Sequence, residues 1–214
     1  MKFTKLEHSG CIIENNSKKL VCDPVEFEAK IPKLSNVEVI IITHKHGDHF
    51  QPQILEKIVM KNPNVRIFAP QDFEISEING QKIEKVEAVT GCNTANFSLK
   101  FFGRNHMPII PNKIPCANIG VTINDKIVNP GDSFDLPNDL QNPELLLVPS
   151  EAPWLKSFES MEYIRNVQPK LVVPVHNAVL SKTGDNINNN WLKMACDENG
   201  VNFAALGIGE SIEI

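Results

Sequence analysis

The chain has no apolar run long enough to cross a bilayer. The longest, Val39-Ile40-Ile41-Ile42 and Leu145-Leu146-Leu147-Val148, stop after four residues, whereas a spanning helix needs about 20. The opening Met1-Lys2-Phe3-Thr4-Lys5-Leu6-Glu7-His8 has neither an apolar core nor a small-residue cleavage site, so no secretory signal is expected. Cysteine is sparse and unpaired in pattern. Cys11, Cys22, Cys92, Cys116 and Cys196 form an odd set without a C-x-x-C pair, which argues against a disulfide framework and for thiols in a reducing compartment. A cytoplasmic protein without a membrane partner is expected. Positive charge is also short: 21 Lys and Arg stand against 26 Asp and Glu, a formal charge of −5. Phosphate neutralisation needs clustered Lys and Arg, so nucleic acid is not the expected partner. No repeat or low-complexity tract appears.

What is present is an ordinary globular balance, 42% hydrophobic and 22% charged over 214 residues, which reads as one domain spanning 1–214. Residues 11–14 and 19–22 flank Asn15-Asn16-Ser17 and read as a hairpin. Residues 37–43 form an almost unbroken apolar strand of the kind covered on both faces. Ile54, Leu55, Ile58 and Val59 recur at helical spacing after Pro52, predicting a helix over 52–61. Strands follow at 65–69, 82–89 and 97–102. Asn124-Asp125 between 121–123 and 126–128 signals a second hairpin, and 145–148 and 171–175 read as buried strands. Helices are expected over 154–167, with Leu155, Phe158 and Ile164 on one side, and over 190–199, ended by Gly200. Two sheets packed together with helices outside satisfy this mixture, an α/β fold.

Chemistry concentrates in Thr43-His44-Lys45-His46-Gly47-Asp48-His49, between the apolar strand and the Pro52 helix. Imidazole nitrogen and carboxylate oxygen suit a borderline divalent ion, and four such donors on one tight loop would be a costly crowd without a cation. Three further donors, His106, Asp132 and His176, each follow a predicted strand. Seven donors exceed one tetrahedral ion and fit two ions sharing a carboxylate.

The segment His44-Lys45-His46-Gly47-Asp48-His49, followed by His106, Gly131-Asp132 and His176 and preceded by Asp23-Pro24, resembles the metallo-β-lactamase superfamily over nearly the whole chain. Asn118-Ile119-Gly120, Pro130-Gly131-Asp132-Ser133, Ala152-Pro153-Trp154 and Pro174-Val175-His176-Asn177 are most similar to compact bacterial metal-dependent hydrolases of the ascorbate-6-phosphate lactonase branch. The resemblance implies a four-layer αβ/βα sandwich of two mixed sheets. It also implies that His44, His46 and His106 hold one ion, and Asp48, His49 and His176 a second, with Asp132 bridging. Asp23, with Thr43, would orient the metal loop without touching metal. Two divalent ions, zinc first and manganese or iron as alternatives, would activate a hydroxide for attack on a small-molecule ester, lactone or phosphoester. Asp48 would orient the water or shuttle its proton. Activity should fall below about pH 6 as the histidines protonate.

A phosphodiesterase or nuclease of the same fold is the alternative, and a scaffold with a decayed site is a third reading. His8 reads as a structural histidine or a pocket residue, and Trp154 as core or pocket wall. Asn177 stands at a possible pocket position where the resemblance implies an acidic residue. Lys45 and Arg104 could meet an anionic group. No cysteine is assigned a role. Members of the nearest branch assemble, so a homo-oligomer is possible.

Overall fold

The backbone conformations at the two asparagine turns begin the architecture. Asn16 and Ser17 have φ of 50° and 62°, and Asn124 and Asp125 both have 52°. These are the paired left-handed conformations that two-residue hairpins need to match strand twist. The computed structural model describes residues 1–137 and 142–214. Its first half contains β1 (Lys2–Lys5), β2 (Cys11–Asn15), β3 (Lys18–Cys22), β4 (Val37–Ile41), α1 (Pro52–Val59), β5 (Arg66–Pro70), β6 (Glu77–Ile78) and β7 (Gln81–Val86). Then come β8 (Gly91–Asn93), β9 (Ser98–Phe102), β10 (Gly120–Ile123), β11 (Ile127–Asn129) and β12 (Leu145–Pro149). The chain continues through α2 (Ser157–Val167), β13 (Leu171–Val175), α3 (Lys182–Glu198), β14 (Asn202–Phe203) and β15 (Ser211–Glu213).

Two mixed sheets result. One has the order β15-β1-β2-β3-β4-β5-β7-β6 and the other β14-β13-β12-β11-β10-β9-β8. Strands β3, β4, β5 and β7 run parallel to their neighbours in that series, as do β11, β12, β13 and β14.

The strand period of two divides each apolar run between two cores. Val39 and Ile41 join Leu145, Leu147, Val173 and Val175 in the interior between the sheets. Ile40 and Ile42 point the other way, onto Ile54, Leu55, Ile58 and Val59 of α1. Leu146, Val148 and Val172 meet Ile164 and Val167 of α2 and Leu192, Ala195 and Cys196 of α3. This is the four-layer αβ/βα sandwich: helix, sheet, sheet, helices. Each fully buried Leu, Ile or Val contributes roughly 1.5–3 kcal/mol, so both faces of both sheets are stabilised. Among the described residues no helix is long and apolar enough to cross a membrane.

Several boundaries differ from the sequence expectation. The helix expected over 154–167 starts at Ser157, and its buried face is Ser160, Tyr163, Ile164 and Val167 while Phe158 is exposed. The helix expected over 190–199 starts eight residues earlier, at Lys182. Its first turns carry no apolar stripe because they are held by polar contacts: Asp185 accepts from Asn177 Nδ2 at 2.9 Å, and Asn188 Nδ2 donates to Ser150 O at 2.7 Å. The strand expected to reach residue 89 ends at Val86, and β1, paired with both β2 and β15, was not foreseen.

Candidate metal centre

The chemistry-bearing residues lie just past strand ends on one edge of the sandwich. Asp23 follows β3, the 43–49 loop follows β4, His106 follows β9, Asp132 follows β11 and His176 follows β13. Carboxyl ends of parallel strands are where open α/β sheets place ligands.

Three features shape the loop. Asp23 receives Thr43 N at 2.8 Å and Thr43 Oγ1 at 2.7 Å, and its Oδ2 accepts from His49 Nδ1 at 2.9 Å. With the Thr43 hydroxyl proton committed to Asp23, its oxygen can accept from His44 Nδ1 at 3.1 Å. The Asp132 turn is fixed from its own sheet, beside β10: Asn118 Oδ1 accepts from Asp132 N at 3.0 Å, and Asn118 Nδ2 donates to Pro130 O at 2.9 Å. Gly131 between them has φ of 62°, and a Cβ there would lie 2.3 Å from Asn118 Oδ1 and 2.8 Å from Thr43 Cβ, so only glycine fits.

The seven donors expected from sequence come together. The ligand atoms of His44, His46 and His106 lie within 4.8 Å of one another, as do those of His44, His49 and Asp132, and those of Asp48, His49 and His176 with His8. Asp132 spans the groups: Oδ1 is 3.2 Å from His49 Nε2, and Oδ2 is 3.2 Å from His106 Nε2 and 3.1 Å from His176 Nε2. Backbone carbonyls fix two of those rings, since His106 Nδ1 donates to Met107 O and His176 Nδ1 to Glu151 O. A neutral imidazole that donates through Nδ1 presents a bare lone pair at Nε2. The Nε2 atoms of His44, His49, His106 and His176 and Asp132 Oδ1 are buried without a hydrogen-bond partner. Lone pairs converging on carboxylate oxygens at these distances fit a cation between them.

Electrostatics agree at His44, Asp132 and Asp48 and differ at His49. Burial, then the neighbouring His49, holds His44 well below its ordinary value, in the neutral form a ligand requires. Burial opposes ionisation of Asp132, but His49, His106 and His176 outweigh it and keep the carboxyl well below its usual range. Asp48 is likewise depressed against burial by His8, His49 and His176. His49 is the exception: Asp132 and Asp23 outweigh its burial and raise it toward the charged form, so a cation would have to displace that proton before Nε2 could ligate.

A family model for the beta-lactamase superfamily domain matches residues 2–176. The chain belongs to the metallo-β-lactamase superfamily. It is 27% identical over 186 residues to Rv0786c of Mycobacterium tuberculosis, covering 85% of this chain and 86% of that protein. It is 21% identical to a UPF0173 metal-dependent hydrolase of Aeropyrum pernix, over 82% and 81% of the two chains. In fold it is similar to Igni18, a metallo hydrolase of Ignicoccus hospitalis, with a TM-score of 0.75 at 16% identity over 99% and 97% of the chains. As a member of this superfamily, with a His and Asp cluster able to hold metal, the chain is a metal-dependent hydrolase by family.

Some residues have roles that the sequence reading left open or missed. Trp154 is buried, and its Nε1–H donates to Asp132 Oδ2 at 3.1 Å. The Asn177 amide, expected at a pocket, is engaged on both sides, accepting from Lys5 Nζ at 3.2 Å and donating to Asp185. Lys45 lies 3.4 Å from Asp72 in an exposed ion pair. Cys116 went unassigned, yet its Sγ is 3.6 Å from His46 Nε2. Asn118, in a segment that carries the family resemblance but was given no role, is fully buried.

Proposed function

We propose that the chain is a hydrolase holding two divalent ions and cleaving a small-molecule ester, lactone or phosphoester. The observation that carries this reading is the shared carboxylate of Asp132, which faces both donor groups at 3.1–3.2 Å. His44, His46 and His106 would hold one ion, and Asp48, His49 and His176 the other, with Asp132 common to both. Zinc suits the imidazole-rich set best, with manganese or iron also compatible. When bound, such ions supply Lewis acidity and a nucleophile at neutral pH.

The protein's own part follows from its side chains. Asp48, ionised and about 38% exposed, is placed at the open side of the cluster to orient water or accept a proton at its carboxylate. Trp154 and Asn118 keep Asp132 from turning. Beside His46 and His106 a cavity of about 150 Å³ is lined by Met107, Ile109, Ile110, Ile114 and Cys116, with Lys113 among them. A site of that size holds a group comparable to benzene, which supports a substrate with a short apolar substituent. The five free thiols support a cytoplasmic setting.

The test is elemental analysis of protein purified without chelator, beside His46→Ala and Asp132→Ala. A substrate panel of nitrophenyl esters, simple lactones and nitrophenyl phosphate mono- and diesters accompanies it. About two ions per wild-type chain, reduced in both variants, with turnover of an ester or lactone, is the expected result. Turnover of phosphodiesters alone moves the reading to a phosphodiesterase. No bound metal after loading with zinc or manganese overturns it.

A further inference from the structure

Distance alone makes His8 a ligand candidate. Its ring is buried, its Nε2 lacks a partner in hydrogen-bond geometry, and it lies within 4.8 Å of the donor atoms of Asp48, His49 and His176. The other face of the ring separates it from the rest. His44, His49, His106 and His176 all turn Nδ1 to an oxygen that can accept: Thr43 Oγ1, Asp23 Oδ2, Met107 O and Glu151 O. His8 Nδ1 instead faces the backbone N–H of Ala178 at 3.2 Å. A peptide N–H can only donate, so His8 Nδ1 is the acceptor, and the neutral ring must carry its proton on Nε2. Ligation through Nε2 would move that proton to Nδ1 and set two N–H groups against each other in a buried site.

We propose that His8 is a positioning residue and not a metal ligand: its Nε2–H, 3.5 Å from Asp48 Oδ2, steers that carboxylate toward the ion held with His49 and His176. The inference rests on the metal-centre reading above. The placement of His8 is over-determined, as a directional donor requires. Its φ of 55° is a conformation that a histidine keeps only when its surroundings enforce it. Its carbonyl accepts from His176 N at 3.1 Å and from the buried Lys5 ammonium at 3.3 Å. Its ring lies 3.9 Å from His176 and edge-on to Phe27 at 5.5 Å. The turn between β1 and β2 is thereby tied to the loop after β13, and Asp48, half open to solvent, gains one fixed partner.

The ring itself can be read without any substitution. In protein labelled with ¹⁵N-histidine, two-bond proton–nitrogen correlations distinguish the two tautomers and a metal-bound nitrogen. One ring, assigned to His8 by its loss in His8→Gln, should be protonated on Nε2 before and after zinc loading, while in the zinc-loaded protein the rings of His44, His49, His106 and His176 are protonated on Nδ1. An Nδ1-protonated His8 with zinc on Nε2 overturns the proposal. The variants give a second readout, zinc stoichiometry and chelator competition. His8→Leu, which keeps bulk and removes the donor, should still bind two ions but hold the weaker one about 10–100-fold less tightly. His8→Gln, which restores an N–H near the Nε2 position, should recover to within a few-fold of wild type. Loss of one whole ion in both variants marks His8 as a ligand, and unchanged affinity in His8→Leu removes its positioning role; either result overturns the proposal alone. A wild-type chain that binds no zinc overturns the metal-centre reading and this inference with it. If His8→Leu does not fold, the wild-type tautomer still decides.

Discussion

Asp132 illustrates how much of the centre depends on single contacts. One of its oxygens is contested by two imidazoles and receives the Trp154 indole N–H. Trp154→Phe keeps an aromatic side chain but removes that donor together with part of the volume of a buried indole. A hydrogen bond to a charged group is worth about 1.5–3 kcal/mol, so zinc affinity should fall roughly 10–100-fold, as read by chelator competition, with a lower thermal midpoint from the lost packing, as read by calorimetry. Gly131→Ala tests the turn beneath. A methyl group would collide with Asn118 and Thr43 in a left-handed conformation, and overpacking with strain costs about 3 kcal/mol or more. Urea unfolding should show that loss together with lower metal content. At this scale the sequence was most legible where chemistry is dense. The H-x-H-x-D-H loop needs its donors close, and close spacing is visible in a linear string. Asn118 and Trp154 act from beside the neighbouring strands β10 and β12 of the same sheet, 14 and 22 residues away, and their segments carry the family resemblance without revealing that contact.

Among the elements, legibility followed the apolar pattern. The β4 strand and both hairpins were readable because one physical cause, burial of alternate faces or a pair of left-handed turn residues, dominates each. Helix α3 was half hidden because its first turns are fixed by Asp185 and Asn188 rather than by apolar contacts. Its later turns bury Leu192 beside an exposed Trp191, which gives an internal control. Leu192→Ala should destabilise the chain by about 2–5 kcal/mol, whereas Trp191→Ala should stay within about 0.5 kcal/mol, as measured by denaturant midpoints. Equal losses at both positions would mean that α3 packs in another register. Helix α2 misled for a related reason: Phe158 falls at a plausible core spacing yet is exposed, because a 3.6-residue period fixes a face only once the first turn is located.

In the whole molecule, the edge opposite the metal centre is stitched by Glu38 of β4. It accepts from Asn96 N at 3.2 Å and Asn96 Nδ2 at 2.7 Å, in the turn between β8 and β9 of the other sheet. Burial raises the Glu38 carboxyl, but hydrogen bonds from Thr94 and Asn96 outweigh it and lower it below the usual 4.5. A depressed folded value means that the stabilisation is present above about 4.5 and is lost as pH falls through the folded value. Glu38→Gln should therefore cost about 1–2 kcal/mol at pH 7 and progressively less toward pH 3, as read from urea midpoints across that range. Chelation should act from the other edge. An ion pool at a thousand times Kd adds about 4 kcal/mol to the folded state, so stripping metal should lower the thermal midpoint by on the order of 10 °C.

The candidate donors are spread along the chain and across both sheets, from the 43–49 loop to Asp132 and His176, and this sets an order in time during synthesis. The 43–49 loop leaves the ribosome long before the strands that carry its partners. Non-local pairings of this kind form late, so for most of translation the loop is a flexible histidine-rich peptide with only a weak hold on any ion. A nascent chain halted before residue 176 would already expose six of the seven donors yet lack the last. Any selection between ions would then fall to the finished fold, where alone the candidate donors stand together.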